Sequence, residues 1–141
     1  MKIIFDYNRT LFDPDVDTLY PGVLDLLNVA SQKHEIFLVS RNERARKKRM
    51  KDLGIEQYFK EIFFVDEKSD ALFVFIAGGM RGMVVGDSIQ DEIAIGNRLG
   101  LITVRLKQGK FAYETPQNKS EIPAFEVENI EALKALIAKY E

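Results

Sequence analysis

Five short apolar runs punctuate the chain: "KIIFD" (2–6), "HEIFLVS" (34–40), "FKEIFFVD" (59–66), "RGMVVGD" (81–87) and "LITVRL" (101–106). Runs of this length without inside–outside alternation are strands buried on both faces, which only a covered parallel sheet provides. Between them lie segments with helical spacing. In 21–33, Pro21 takes a first-turn position and Val23, Leu26, Leu27 and Ala30 recur on one face. The segment 42–54 is closed by Gly54, 69–77 is opened by Ser69, and 89–100 ends at Gly100. This alternation predicts an α/β, doubly wound (Rossmann-like) three-layer sandwich with a mainly parallel sheet. A polar loop (107–121), a short edge strand "AFEVEN" (124–129) and a last helix "IEALKALIAKY" (130–140) complete the pattern. No repeat, low-complexity tract or linker interrupts it, so 1–141 is expected to be a single domain, with 107–123 its most mobile loop.

A chain of 141 residues can bury roughly two-thirds of its unfolded surface. Its 46% hydrophobic and 30% charged composition is that of an ordinary globular protein. With no cysteine, disulfides, thiolate metal sites and cysteine nucleophiles are excluded. A net charge of −2 gives no general electrostatic case for nucleic acid or an anionic membrane. The longest apolar stretch, "ALFVFIAGGM" (71–80), is about half a membrane span, and the first residues lack a signal-peptide apolar region. The expectation is a soluble, cytoplasmic protein.

In open sheets of this kind ligands bind outside the carboxyl ends of the strands. Asp6, Asn8 and Thr10 follow the first predicted strand, and Ser40, Arg41 and Asn42 the second. Asp66, Glu67 and Lys68 follow the third, and Asp87, Ser88 and Asp91 the fourth. Asp6 and Asp87 could jointly ligate Mg²⁺, which takes oxygen ligands and usually needs only one or two carboxylates. Ser40 and the amides opening the next helix could bind an anion, while Lys68 offsets the carboxylates and a bound phosphate. With its charge so neutralised, Asp6 could attack phosphorus and form an aspartyl phosphate. The cation and the Lys and Ser donors would stabilise the transferring phosphoryl group.

Taken singly, each of these residues has a plainer reading, because an Asp after a strand is usually a turn or cap residue. Their ordered recurrence at four strand ends carries the shared-site reading. Asp13, Asp15 and Asp17 mimic the start of an EF-hand loop, but Thr18 replaces the required Gly and Leu24 the terminal Glu, so a solvated acidic loop is expected. The run 41–51 carries seven basic residues, read either as a solvated helix face or as the approach for a polyanion. His34 precedes a strand, away from the site edge, and "GGMRG" (78–82) lacks a nucleotide-loop spacing and reads as a turn.

The stretches "FDYNRTL" (5–11), "IFLVSRN" (36–42), Lys68 and "VVGDSIQDE" (84–92) resemble, in that order, the four motifs of the haloacid dehalogenase-like (HAD) superfamily. "YPGVLDLL" (20–27) is similar to that family's first helix. The resemblance implies Asp6 as nucleophile and metal ligand, and position 8 as a ligand through its backbone carbonyl. It implies Thr10 as an organiser of the turn, Ser40 with Arg41 and Asn42 at the phosphate, and Lys68 as the group steadying nucleophile and phosphate. Asp87 would ligate Mg²⁺, with Asp91 nearby. Family phosphatases usually carry a second Asp at position 8, which protonates the leaving group and then deprotonates water; Asn8 can do neither. General acid–base help is typically worth about 10²–10⁴ in rate. The resemblance implies a phosphorylated substrate. No interval has room for a cap domain, so the site is expected to be open, which favours a large or polyanionic substrate, a partner-supplied lid or low specificity. A Mg²⁺-dependent phosphohydrolase slowed by Asn8 is the leading reading. A HAD-like metal- and phosphate-binding or regulatory module is the alternative. A phospho-receiver domain would need an acidic pair after the first strand, where only Asp6 stands.

Overall fold

A computed structural model of the protein describes residues 1–140. Its strands are β1 (Lys2–Phe5), β2 (Phe12–Asp13), β3 (Thr18–Leu19), β4 (Glu35–Arg41), β5 (Glu61–Val65), β6 (Gly82–Gly86), β7 (Ile102–Leu106) and β8 (Phe125–Val127). Its helices are α1 (Val23–Lys33), α2 (Arg46–Asp52), α3 (Asp70–Ala77), α4 (Glu92–Arg98) and α5 (Ile130–Ala138). Six strands form one sheet in the order β5-β4-β1-β6-β7-β8, and every neighbouring pair is parallel. The chain winds outward from β1 to β5 on one side, then returns to β6 and winds out to β8 on the other. This is the doubly wound α/β, Rossmann-like architecture, and its strand order reverses between β1 and β6.

Period-two alternation along β1 divides the core. Ile3 and Phe5 point into a large cluster with Val23, Leu26 and Leu27 of α1, Met50 of α2, and Ile130, Leu133 and Ile137 of α5. Ile4 points the other way, into a smaller cluster with Phe73 and Ile76 of α3 and Ile95 of α4. Both faces of the sheet are thus covered, as the uninterrupted apolar strands require. α4 lies so close to the sheet that a Cβ on Gly96 would stand 2.7 Å from Thr103 Cγ2 and 3.1 Å from Val84 Cγ2.

Several boundaries differ from the sequence expectation. α1 starts at Val23, behind Gly22 with φ 90°, so Pro21 precedes the helix instead of opening it. α2 starts only at Arg46, because Ala45 adopts a left-handed φ of 63°. α4 starts at Glu92, three residues later than its apolar spacing suggests. Between Asp6 and α1 the chain folds into a hairpin, β2 against β3, too short to announce itself by alternation. The hairpin uses the acidic trio for its own turn: Asp15 N–H donates to Asp13 Oδ1 at 3.0 Å, and Asp17 faces Arg49 Nε at 3.6 Å. From β1 to α1 there is only this hairpin, and from β4 to β5 only α2 and a short 3-10 turn (Glu56–Tyr58), so neither interval carries an inserted domain. The segment 107–123 is tied down: Arg105, 2% exposed, donates through Nη2 to the carbonyls of Phe111, Ala112 and Glu114. Among the described residues no helix is long and apolar enough to cross a membrane.

The tight seat of α4 gives a direct test. Gly96→Ala should cost about 1–3 kcal/mol, the usual range for overpacking a filled core. Urea unfolding of the two proteins measures the difference. An unchanged midpoint would mean that α4 can move outward without loss.

Candidate active site

The sheet brings four segments together at one edge. β1 ends at Phe5, and Asp6 prolongs its ladder with an N–H bond to the Val85 carbonyl at 3.0 Å. The chain then turns sharply: the Tyr7 carbonyl accepts from the N–H groups of Thr10, Leu11 and Phe12, and Arg9 takes a left-handed φ of 61°. Inside this turn Thr10 Oγ1 donates to Asp6 Oδ2 at 3.0 Å, fixing the carboxylate. β6 delivers Asp87 beside it. Beyond β5, Lys68 stands immediately before α3, whose cap is the Ser69 side chain accepting from the Leu72 N–H.

Lys68 joins the edge together. Its Nζ donates to Asp6 Oδ1 at 2.5 Å and to Glu92 Oε1 at 2.7 Å, with only 3% of its side chain exposed. Glu92 is the first residue of α4 and is buried; its other oxygen accepts from the Ser88 N–H at 2.9 Å. Gly86 makes room for it, since a Cβ there would stand 2.3 Å from Glu92 Cγ. Carboxylate oxygens of Asp6, Asp87 and Glu92 all lie within 4.8 Å of one another.

The electrostatics of this group are unbalanced. Burial alone would loosen the Lys68 proton, but the charges of Asp6 and Glu92 outweigh it and push its pKa up. Burial, then the charges of Asp6 and Glu92, push Asp87 up to about 9, and burial also raises Glu92. Three carboxylates against one ammonium leave two surplus negative charges when all are ionised. A hard divalent cation held by oxygens meets that surplus in charge and donor type, so the residues present fit Mg²⁺.

A cavity of about 250 Å³ opens over these groups. Asn8 and Arg9 line it from the β1 turn, Arg41, Glu43 and Arg46 from the end of β4, and Ser88 and Asp91 from the end of β6. Phe111 of the loop after β7 completes the wall. Of the residues expected from sequence, Asp6, Asn8, Arg41, Lys68, Asp87 and Asp91 all face this space, and Thr10 supports it from behind. Ser40 is buried and already engaged: its Oγ donates to the Arg41 carbonyl and accepts from Arg46 Nη1, each at 3.2 Å. Asn42 lines an adjoining groove with Arg44, Lys47 and Phe64, and its N–H is spent on the Val65 carbonyl. Asp91 pairs with Arg41 at 3.4 Å, whereas its neighbour Glu92 enters the acidic group. Sequence reasoning missed Glu92, Arg9, Arg46 and Phe111. Glu92 left only a weak signal, as an acid adjacent to Asp91 near the start of the expected helix.

Comparison with known proteins bears on the fold. A protein of Burkholderia xenovorans LB400 described as a haloacid dehalogenase-like hydrolase superposes with a TM-score of 0.82 at 13% identity, over 99% of this chain and 97% of that one. The chain has the haloacid dehalogenase-like fold. Bacillus subtilis YfnB, described as a HAD-hydrolase and solved bound to magnesium, gives a TM-score of 0.69 at 22% identity, over 84% of this chain and 56% of its own. In sequence, the glyceraldehyde 3-phosphate phosphatase of Methanopyrus kandleri is 29% identical over 86 residues, 54% of this chain. The chain spans only 37% of that relative's length. No protein-family model matches the sequence.

Two outcomes follow for the acidic group. Gly86→Ala should drive the Glu92 carboxylate off Lys68 and Ser88, costing about 1–3 kcal/mol in denaturant melts; parent-like stability would show that the contact is loose. The second concerns pH. Because Asp87 is raised in the folded protein, its contribution to stability is full below the ordinary carboxylate range and is lost as pH rises through about 9. A cation must displace that proton. Thermal stabilisation by Mg²⁺ over EDTA should therefore be larger at about pH 9 than at about pH 6. An equal shift at both would sink the linkage.

Proposed function

We propose that this chain is a Mg²⁺-dependent phosphohydrolase that works through an aspartyl phosphate on Asp6. The observation that carries the reading is the clasp of Lys68 on Asp6 and Glu92, set against Asp87 at the strand-order reversal. Asp6 and Asp87, with the backbone carbonyl of Asn8, would hold Mg²⁺, and Glu92 would stay on Lys68. The bound ion would supply charge stabilisation for the phosphoryl group. The magnesium in YfnB and the phosphatase activity named for the Methanopyrus relative support the choice of metal and substrate class.

The reaction divides between the chain's own groups. Lys68 and Thr10 aim the Asp6 carboxylate, each holding one of its oxygens. The Asp6 oxygen bonds to phosphorus, the bond from phosphorus to the leaving oxygen breaks, and that oxygen departs with the electron pair. Water then attacks the same phosphorus, releasing inorganic phosphate and the free carboxylate. Arg41 and Arg46 bring positive charge to the cavity wall for the phosphate oxygens. Asn8 faces the cavity as an amide, with no proton to give a leaving group and no basic lone pair for water. Leaving groups that depart as stable anions, such as carboxylates and phenolates, thus suit this site better than simple alcohols. A chain without cysteine fits a cytoplasmic setting.

Asn8 also favours one second reading, a metal- and phosphate-binding module that does not turn over. Rates of Mg²⁺-dependent hydrolysis of phenyl and alkyl phosphates separate the two. Asp6→Asn should abolish turnover, and Asn8→Asp should raise it about 10²-fold, most for the alkyl ester. Activity that survives Asp6→Asn would overturn the mechanism. Silence in both the parent and Asn8→Asp would favour the binding module.

A further inference from the structure

Phe111 is the single apolar side chain among the described residues that line the cavity; every other lining group is charged, amide or hydroxyl. Lys110 Nζ lies 4.9 Å from the centre of the Phe111 ring. Phosphate oxygens gain little from a phenyl ring, so what the ring can offer a ligand is contact with a part that is not phosphate. Its position is built, and at some cost. Arg105 lies at the end of β7, 2% exposed, and a single nitrogen of its guanidinium, Nη2, holds the carbonyls of Phe111, Ala112 and Glu114 at 3.0, 3.3 and 2.8 Å. Burying a guanidinium on neutral carbonyls is expensive, more than closing a surface loop requires. One further tie reaches the β1 turn. Gln108 Nε2 donates to the Thr10 carbonyl at 3.3 Å. Gly109, with φ 78°, lies beside the Arg9 and Tyr20 side chains, in ordinary contact. The loop is therefore locked both to the sheet and to the turn that carries Asp6 and Asn8.

We propose that Phe111 is a specificity-determining platform for an aromatic or otherwise flat apolar leaving group, and that Arg105 is the positioning residue that holds it over the cavity. The proposal rests on the phosphoester reading of the site. It also fits the chemistry there, since phenolates leave without the proton that Asn8 cannot supply.

Calorimetric binding of phenylphosphonate and methylphosphonate to the Mg²⁺-loaded protein tests it, with phenyl phosphate turnover measured alongside. The parent should prefer the phenyl ligand roughly tenfold in Kd. Phe111→Tyr, which keeps the ring, should retain the preference, and Phe111→Ala should bring it close to parity. Arg105→Lys keeps the charge but loses the fork, and should reduce the preference as Phe111→Ala does, an effect that a merely structural role would not produce. If Arg105→Lys does not fold, the Phe111 pair decides. No phenyl preference in the parent, no binding of either phosphonate, or a preference that survives Phe111→Ala overturns the platform. Phosphonate binding with the phenyl preference but without phenyl phosphate turnover would sink the hydrolase reading and leave the platform standing. Turnover without the preference would do the reverse.

Discussion

A buried ammonium shared by two carboxylates is the contact on which the rest of the site depends. Lys68 comes from the end of β5, yet its partners sit at the ends of β1 and β6, on the far side of β4. Reaching them buries the whole side chain, which is unfavourable for a lone amine. Asp6 and Glu92 reverse that balance, and in doing so they tie three crossover connections to one point. The same contact orders both acids: Asp6 is held between Lys68 and Thr10, and Glu92 between Lys68 and the Ser88 N–H. Asp87 has no such cation of its own, and its raised pKa records the difference. The surplus charge is concentrated where a nucleophile and a cation would meet. The fold tolerates an unfavourable electrostatic arrangement at this edge because two complete apolar layers stabilise it elsewhere.

That arrangement also gives Asn8 a physical meaning beyond a missing proton. A carboxylate at position 8 would add a further negative charge to the wall of a cavity that already holds a surplus of two. The amide keeps the turn and spares the cavity that charge. Lys68, Arg41 and Arg46 stand around it, each already paired with a carboxylate.

How far the sequence reveals this depends on what positions each residue. Asp6 and Asp87 are legible because an apolar strand delivers them: once β1 and β6 are recognised, the residues after Phe5 and Gly86 must emerge at the sheet edge. Lys68 is legible in the same way, by its place between β5 and the Ser69 cap. Asp91 and Glu92 are harder to tell apart from sequence. They are adjacent acids at a helix start, and about 100° of helical rotation separates their directions. Only the true start of α4 decides which enters the site, and Asp91, with its non-helical φ of −113° and ψ of −104°, is left to face Arg41. Phe111 was illegible for another reason. Its anchor is a charged residue inside the apolar run "LITVRL", and nothing local to 107–123 shows that the loop is held from the sheet.

The basic run 41–51 changes meaning once its contacts are known. Arg46 lies 5.3 Å over the Tyr7 ring and pairs with Glu43 at 2.6 Å, while Arg49 lies 5.8 Å over Phe12 and pairs with Asp17. Lys48 pairs with Asp52, and Arg41 with Asp91. Much of the positive charge that could draw a large polyanion along α2 is thus spent on the hairpin and on neighbouring acids. The cavity itself, about 250 Å³, is walled by Arg9 and by Arg41 and Arg46 paired with Asp91 and Glu43, floored by carboxylates and bordered by one aromatic ring. The absence of an inserted domain between β1 and α1 or between β4 and β5 then does not by itself imply a large substrate. The loop held by Arg105 narrows the opening from within the core fold.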